Sequence, residues 1–409
     1  MPLFEQRDDG MLLSMPGPLI ALHWLILIVL GFCALTAIAN LMIFRGLRAA
    51  NPPADLPLVS ILVPARNEDR NIATCVESLL AQDYPNWELL VLDDHSTDGT
   101  GEIVRRLFAS HTGPQRIQLL SGESLPGGWV GKNWACHQLS EHARGDYLFF
   151  ADADTAHKPG TTTAAVAFAR KHRADLVSAW PRMITGTLGE KLIIPIIIVV
   201  GFAMCPHWLA MLLQRWPGIA RALPREVLRA VGGANGQFMF FSRKGYAQIN
   251  GHVGVQNAVV EDVALGRAVA EQIGNGLRLV NCESLRFSTV RMYRSFAETW
   301  WGFTKNLRAI FEEREAAFWL FLLAMWGCFI VPCFRWAWAN DTLRPYALAE
   351  LGLVVFVRLA VTLRFRLTWL GALLHPFGVG LVIACALQSW RMSHWRGVEW
   401  KGRTYRPEI

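Results

Sequence analysis

Three pairs of acidic residues follow or interrupt apolar runs in this sequence. They are Asp93 with Asp94, Asp152 with Asp154, and Glu261 with Asp262. A carboxylate that is fixed at the end of a strand can accept a hydrogen bond from a nucleobase, hold a ribose hydroxyl or bind a divalent cation. A carboxylate beside a hydroxyl group can also remove its proton as a general base. These pairs are therefore the first candidates for a functional site.

The stretch "YLFFADADT" brings two of these carboxylates close together. Alternate residues of an extended chain point to one face, so Asp152 and Asp154 can converge. Two such acids repel each other unless a cation lies between them, and Mg²⁺ or Mn²⁺ held by carboxylates and a diphosphate fits this donor set. The cation would neutralise charge on a leaving diphosphate. The alternative is an acidic turn beside a buried strand.

The other two pairs each allow two interpretations. In "VVEDVALGRAV", Glu261 and Asp262 begin a helical pattern, where one of them could act as general base toward an acceptor hydroxyl. The alternative is that acids simply stabilise the first turn of a helix through its dipole. Asp93 and Asp94 end an apolar strand and could bind a nucleoside, but the residues 96–98 that follow are also typical helix caps.

A polar cluster follows the apolar strand in "VSILVPARNEDRN". Arg66, Asn67 and Glu68 stand where the strand should end. They could form one wall of a ligand site. The alternative is a capping loop, because Asn67 could cap a helix that starts near Asn71.

The elements that must position these residues form a βαβ pattern between Asp55 and about Phe311. Helical patterns alternate with short apolar strands, which are Val59–Val63, Trp87–Leu92, Tyr147–Ala151 and Leu176–Ala179. This alternation predicts an α/β fold with a mostly parallel sheet and helices on both faces. Ligands of such sheets bind beyond the carboxyl ends of the strands, where the acids and the polar cluster lie.

The composition indicates a membrane protein. Of 409 residues, 52% are hydrophobic and only 18% are charged. Pro18–Phe44 carries no charge and is long enough to cross a bilayer. Arg45 and Arg48 follow it, so the positive-inside rule predicts that the next domain is cytoplasmic, at the plasma or inner membrane. The net charge of +7 suits such loops, and no dense basic run with interleaved aromatics indicates nucleic-acid binding.

Four more apolar segments follow, with less certain relations to the bilayer. Leu192–Leu213 lies within the soluble domain, so we expect an interfacial or re-entrant segment, with a buried core helix as the alternative. Ala316–Ala339 and Leu367–Trp390 are long enough to span, whereas Tyr346–Leu363 is marginal because it contains Arg358. Three full crossings would leave the basic tail outside, which conflicts with the positive-inside rule.

The predicted organisation has four parts. They are an N-terminal membrane anchor in residues 1–48, a cytoplasmic catalytic domain in 55–311 with its apolar segment 192–213, transmembrane helices in 316–390 and a basic tail in 391–409. The eight cysteines are scattered without a Cys-x-x-Cys pair, which argues against zinc and suits free thiols in a reducing compartment.

From about Leu58 to Arg294 the chain resembles family 2 glycosyltransferases with the GT-A fold, a Rossmann-like nucleotide-sugar-binding domain. The strand with "PARNE", then "DDHSTDGT", "DADT" and the Glu-Asp pair occur in that family's order. The resemblance implies an inverting hexosyltransferase with Asp262 as catalytic base, Glu261 beside it, and Asp154 and Asp152 at the metal. It also implies nucleotide-sugar contacts from Pro64, Arg66, Glu68, Asp93, Asp94 and Asp152. Gly233, Asn235 and Gly236 in "GGANGQFMFFSR" would face the acceptor or the donor sugar.

"LPGGWVGKNWACHQL" resembles the membrane-bound subgroup that glycosylates carotenoids and hopanoid-type lipids. A UDP-sugar is the expected donor and a membrane lipid the expected acceptor. Lys132 could meet the diphosphate as a point charge or be a surface lysine. Trp134 could contact the sugar or simply pack.

"RMYRSFAETWWGF" mixes basic and aromatic residues as an interfacial helix does, and its Arg294 is a second candidate for the diphosphate. The Gln-x-x-Arg-Trp motif of processive family members is absent here, which argues against the alternative of a polysaccharide synthase. A non-catalytic protein that binds a nucleotide sugar or a lipid is the third hypothesis, and intact acids at every motif argue against it.

Overall fold

The computed structural model describes residues 17–312, 314–395, 398–400 and 403–405. The strands are β1 Val59–Ala65, β2 Trp87–Asp93, β3 Arg116–Ser121, β4 Tyr147–Ala151, β5 Thr155–His157, β6 Leu176–Trp180, β7 Arg182–Met183, β8 Phe238–Ser242, β9 Leu279–Glu283, β10 Ser288–Val290, β11 Val398–Trp400 and β12 Arg403–Tyr405. Residues 1–16 of the predicted anchor and residues 396, 397, 401, 402 and 406–409 of the predicted basic tail lie outside the described residues.

Twelve α-helices lie before residue 308 in the described part of the chain. They are α1 Gly17–Ile43, α2 Ile72–Leu80, α3 Thr100–Ala109, α4 Gly131–His142, α5 Thr161–His172, α6 Leu188–Val199, α7 His207–Leu213, α8 Pro217–Ala222, α9 Arg225–Val231, α10 Arg243–Gln248, α11 Glu261–Glu271 and α12 Phe296–Leu307. The remaining helices are α13 Glu315–Phe329, α14 Val331–Arg335, α15 Arg344–Phe365, α16 Trp369–Leu373 and α17 His375–Trp395. A π-helical turn, Val200–Met204, continues α6.

The central sheet has seven strands in the order β3-β2-β1-β4-β8-β6-β9. Only β8 is antiparallel to its neighbours, so the predicted α/β class with a mostly parallel sheet is confirmed. The four strands predicted from sequence are all present, and three of them extend one or two residues further. A small sheet, β5-β10-β7, follows the acid pair along the chain.

Alternate side chains of β1 are buried on opposite faces of the sheet. Ile61 and Val63 of β1 belong to one apolar cluster, and Leu62 belongs to a cluster on the other face. Helices must cover both faces, and α2 covers the first while α4 covers the second. Strand β1 is therefore buried on both faces, and only its carboxyl end can reach a ligand.

Among the described residues, four helical stretches are long and apolar enough to cross a membrane. They are Gly17–Ile43, Leu188–Leu213, Glu315–Arg335 and Arg344–Phe365. The last contains Arg358, which is buried and donates a hydrogen bond to Pro195 O (3.3 Å). A charge that faces the protein interior in this way is tolerated in an apolar helix. The predicted segment Leu367–Trp390 is divided at Leu374 into α16 and α17.

Leu188–Leu213 contacts Arg291 of the catalytic region near its start and α1 near its middle. Near its start, Gly186 N donates to Glu190 Oε2 (2.7 Å), which also lies 3.8 Å from Arg291 Nε. Near its middle, Asn40 Nδ2 at the end of α1 donates to Phe202 O (2.6 Å) and Cys205 O (2.9 Å). These contacts favour the predicted interfacial segment, which stays a prediction.

A buried carboxylate ties β2 to its neighbours at the end of the sheet away from the acid pairs. Glu88 accepts hydrogen bonds from Ser60 Oγ (2.5 Å), Arg144 N (2.6 Å) and Arg116 Nη1 (2.5 Å). Burial alone would raise the pKa of Glu88, but these three donors outweigh it and hold the pKa below its usual value.

We expect Glu88→Gln to lower the free energy of unfolding by about 1.5–3 kcal/mol at neutral pH, because it weakens charge-assisted hydrogen bonds in a buried site. The pKa is lowered in the folded state, so this contribution exists above the unfolded value and disappears as the pH falls through the folded one. Thermal unfolding in detergent should therefore show a difference from wild type that shrinks in acid. Glu77→Gln is the matched control, because Glu77 is exposed on the outer side of α2. Equal melting of wild type and Glu88→Gln at neutral pH would contradict this account.

Candidate active site

The carboxyl ends of β1 and β2 lie side by side. Ala65 is in register with Asp93, and Asp94 N donates to Ala65 O at 2.8 Å. Arg66 Nη1 donates to Asp94 O (2.5 Å), so this side chain joins the two strand ends. Asp94 itself is 3% exposed. The first two predicted motifs therefore form one continuous wall.

Asn67 does not cap a helix, so that alternative is wrong. Its φ of +52° is in the left-handed region, which Asn tolerates better than most residues. Its Oδ1 accepts from Thr97 N (2.8 Å), and its own N donates to Ser96 Oγ (3.0 Å). Asn71 takes the cap position of α2 instead. Asn67 therefore braces the turn after β2.

Glu68 and Asp93 are held by local hydrogen bonds. Glu68 Oε2 accepts from Asn71 Nδ2 (3.0 Å), and Glu68 N donates to Thr100 Oγ1 (2.8 Å). Asp93 Oδ1 accepts from Ser96 N (3.0 Å). Asp93 thus shapes the turn after β2, while Asp94 lies at the strand junction.

The acid pair follows the end of β4 in a turn, in which Thr155 N donates to Asp152 O (3.1 Å). The backbone here therefore follows the alternative of an acidic turn and not the predicted extended chain. Ala153 points inward and is 4% exposed, whereas Asp152 and Asp154 on either side are half-buried. The buried thiol of Cys75 is influenced by the charges of both acids. Burial raises the pKa of Cys75, and Asp154, Asp152 and Glu68 raise it further. Cys75 Sγ also donates to Asp152 O (3.7 Å), so α2, the helix that follows Glu68, lies beside the acid pair.

Lys132 lies between two of the acidic motifs. It is the second residue of α4, and its Nζ is 2.7 Å from Asp152 Oδ1 and 2.7 Å from Glu261 Oε1. Burial alone would lower the pKa of Lys132, but the two carboxylates outweigh it and raise the pKa well above the usual value. Sequence reasoning predicted Lys132 beside a diphosphate but did not predict this double ion pair.

Asp262 is positioned by two backbone N–H groups. Its Oδ2 accepts from Gly236 N (2.7 Å) and its Oδ1 accepts from Val263 N (2.8 Å). Burial raises the pKa of Asp262 to about 7, and the adjacent Glu261 adds to the effect. A carboxylate with a pKa near neutrality is well suited to proton removal. A Cβ at Gly236 would lie only 3.1 Å from Asp262 Oδ2, so this approach favours glycine.

The other residues of the Gly-rich motif have structural contacts. Gly233 packs against α11, where a Cβ on Gly266 would lie 2.5 Å from the Gly233 carbonyl carbon. Asn235 N donates to Ser178 Oγ (2.7 Å). These contacts fix the loop that carries Gly236, and they do not by themselves place Gly233 or Asn235 against a sugar.

Trp134 and Arg294 lie at the margins of the site. The Trp134 ring packs against Trp129 (centroids 5.1 Å apart) and His137 (5.4 Å). Arg294 Nη2 donates to Asn71 Oδ1 (3.0 Å), and Asn71 in turn bonds Glu68. Arg294 is thus linked to the first wall rather than to the acid pair.

Sequence reasoning missed Asn133, the residue after Lys132. It is fully buried, and its Nδ2 donates to the carbonyls of Val255 (2.8 Å), Gln256 (3.1 Å) and Ala258 (3.0 Å). These carbonyls belong to the segment that leads into Glu261 and Asp262. Asn133 therefore fixes the helix of Lys132 to the segment before the candidate base. Nothing in the sequence "GKNWAC" indicates this role, because the residue type Asn does not show whether its amide is buried or exposed.

Comparisons with known proteins agree with this geometry. Residues 60–245 match the model of Glycosyl transferase family 2. The chain is 39% identical over 117 residues to the putative glycosyltransferase EpsE of Bacillus subtilis, covering 29% of this chain and 40% of that protein. It is 25% identical over 360 residues to the 4,4'-diaponeurosporenoate glycosyltransferase of Staphylococcus aureus, covering 85% of this chain and 88% of that protein.

A solved structure shares the fold. The mannosyltransferase PcManGT from Pyrobaculum calidifontis, in complex with GDP-Man and Mn²⁺, superposes with a TM-score of 0.51 at 17% identity, covering 92% of this chain and 98% of that one. The central sheet and its helices therefore have the GT-A fold. The match to Glycosyl transferase family 2 covers residues 60–245, somewhat less than half of the chain.

We expect Asn133→Ala to reduce kcat by about 10²-fold, because a displacement of about 1 Å at a catalytic group has an effect of this size. The KM for the donor should change little, since Asn133 lies behind the site. Asn133→Asp should reduce kcat at least as much, because a carboxylate cannot donate to three carbonyls. Steady-state kinetics would measure both. Asn86→Ala, which removes one exposed amide-to-carbonyl bond at Leu56 O, is the control. Wild-type kcat in both Asn133 variants would contradict the positioning role.

Proposed function

We propose that this enzyme moves a sugar from a nucleoside-diphosphate sugar to a hydroxyl group of a membrane lipid, with inversion and one sugar at a time. The observation that carries the proposal is the position of Asp262. A carboxylate with a pKa of about 7 lies on the same helix turn as Glu261, which reaches the acid pair through Lys132.

The nucleoside would bind along the first wall. Asp94 and Glu68 supply acceptors at adjoining strand ends, and Arg66 fixes the junction between them. Pro64 precedes this wall near the end of β1. It lies beyond Leu62, the last residue of β1 that pairs with β4. The structurally similar PcManGT was solved with GDP-Man, which supports a nucleotide-sugar donor here. A UDP-sugar is our expected donor.

The residues around Asp152 and Asp154 fit a divalent cation that takes its remaining ligands from a diphosphate. Two half-buried carboxylates flank a buried alanine, and this small oxygen donor set is typical of Mg²⁺ and Mn²⁺ sites that share substrate phosphates. Asp154 would hold the cation, while Asp152 is held by Lys132. When bound, the cation would neutralise charge that develops on the departing diphosphate. The presence of Mn²⁺ with PcManGT supports this assignment.

Asp262 would remove the proton from the acceptor hydroxyl. Gly236 N and Val263 N hold both of its oxygens, which fixes the direction of the remaining lone pairs. The attacking oxygen would approach the anomeric carbon from the face opposite the diphosphate, so the configuration at that carbon would invert. Lys132 would keep Glu261 and Asp152 charged and in place throughout, and its positive charge would favour the departing diphosphate.

The acceptor would come from the bilayer. The apolar helices that adjoin the catalytic domain could hold a lipid with its hydroxyl at the site. The relative from Staphylococcus aureus is named for a carotenoid substrate, which supports a carotenoid, hopanoid or similar lipid. Arg45 and Arg48 after α1 support a cytoplasmic catalytic domain. Transfer of single sugars agrees with the absence of the Gln-x-x-Arg-Trp motif.

We expect Asp262→Asn to reduce sugar transfer by about 10²–10⁴-fold, the range that a general base supplies. Purified enzyme would be incubated with labelled UDP- and GDP-sugars and a host lipid extract, and the products would be identified by mass spectrometry. Asp341→Asn is the control, because its side chain is 98% exposed and remote from the sheet. Binding of the nucleotide sugar should persist in Asp262→Asn.

Two outcomes would contradict the proposal in separable ways. Full transfer by a folded Asp262→Asn enzyme would remove Asp262 as base. A ladder of products longer than one or two sugars would remove the claim of single transfer and indicate a polysaccharide synthase.

A further inference from the structure

Three short helices, α7, α8 and α9, form a layer over one side of the catalytic domain. Their inner side chains pack into an apolar cluster with α11 and the turn that follows it. This cluster consists of Ala210, Leu213, Ala220, Leu228, Val231, Ala270 and Ile273. One face of each short helix is therefore already used for packing.

The layer also exposes large apolar side chains. Leu212 is 37% exposed, Trp216 54%, Ile219 55% and Val227 39%. Helices of a soluble surface normally place polar residues on the side that faces away from the core. A group of large exposed apolar side chains usually marks an interaction surface. This exposed surface is therefore a candidate for an interaction.

The layer joins the ends of two helices that are apolar enough to cross a membrane. At its start, Trp208 N donates to Asn40 Oδ1 (3.1 Å) in the last turn of α1. At its end, Arg229 pairs with Glu312, three residues before α13 begins. Because both contacts are at the catalytic-domain ends of these helices, the layer lies at the level where a bilayer would meet the domain.

Basic residues are interspersed with the exposed apolar ones. Segment 207–231 contains four arginines and one acid, Glu226. Arg229 pairs with Glu271 and Glu312, and Arg221 Nη2 donates to Gly274 O. Arg215 and Arg225 are exposed, and neither forms an ion pair with any residue that the structure describes.

We propose that the outer face of α7–α9 lies in the headgroup layer of the membrane and binds anionic phospholipids. This face consists of Leu212, Arg215, Trp216, Ile219, Arg225 and Val227. Its apolar residues would enter the boundary between headgroups and acyl chains, and its two available guanidinium groups would meet lipid phosphates. Mixed apolar and basic side chains are the usual composition of such interfacial surfaces.

This surface matters for the active site because the chain continues directly from α9 into the loop that holds Asp262. Val231 ends α9, and Gly236 N bonds the Asp262 carboxylate five residues later. The inference does not depend on the identity of the donor or the acceptor. It concerns how the bilayer supports the domain.

The test is hydrogen–deuterium exchange of the full-length protein in nanodiscs of phosphatidylcholine alone or with phosphatidylglycerol. We expect peptides from 207–231 to exchange several-fold more slowly with the anionic lipid, and high salt should weaken this protection because it screens charge. Arg215→Gln/Arg225→Gln should abolish the dependence on lipid. Arg106→Gln/Arg144→Gln removes the same charge from exposed positions near the β2–β3 edge and should behave as wild type.

Exchange that is independent of lipid composition would overturn the proposal. So would a double arginine variant that keeps the protection from phosphatidylglycerol. Protection that rises with protein concentration and not with anionic lipid would show that a second copy of the chain covers this face, and it would overturn the proposal as well.

Discussion

The site depends on one ammonium group between two carboxylates. Lys132 comes from the start of α4, Asp152 follows β4 and Glu261 begins α11, so these two ion pairs join three separate elements. A buried carboxylate without a counter-charge would take up a proton or move toward solvent. The lysine lets both acids remain charged a short distance apart. Removal of this charge would affect the acid pair and the helix of the candidate base together.

Glu261 and Asp262 are neighbours in sequence but have opposite electrostatic surroundings. Lys132 opposes the effect of burial on Glu261 and lowers its pKa, whereas burial and Glu261 raise the pKa of Asp262. One acid therefore keeps a structural charge while the other can exchange a proton near neutral pH. Two carboxylates whose pKa values are pushed apart are a common arrangement in enzymes that use acid–base chemistry.

The sequence predicted the sheet and the strand ends well, because an apolar strand followed by acids has few other interpretations. It predicted an extended chain through Asp152 and Asp154, whereas the structure has a turn there, because Thr155 N bonds back to Asp152 O. It did not predict the pairing of Lys132 with Glu261 or the role of Asn133, since both depend on contacts between residues more than a hundred positions apart. Asn67 was ambiguous because its amide can cap a helix or brace a turn equally well.

For the membrane helices too, the sequence predicted the elements but not their tertiary contacts. Length and hydropathy identified α1 and the segment that becomes α13, but Arg358 made α15 look marginal. Its burial against Pro195 O is a tertiary contact that composition cannot reveal. The break between α16 and α17 occurs at Leu374, directly before His375-Pro376, and proline is well tolerated in the first turn of the helix that follows. Which stretches cross the bilayer remains a prediction from length and charge.

The central claim is that Asp262 removes the acceptor proton. The most direct test is the pH dependence of kcat/KM with saturating divalent metal, because this ratio reports groups of the free enzyme. The account predicts that kcat/KM rises with pH through a single deprotonation at about 7, and that Asp262→Glu shifts this midpoint while it retains measurable activity. A profile that is flat from about pH 5 to 9, or one whose midpoint is identical in Asp262→Glu, would contradict the claim.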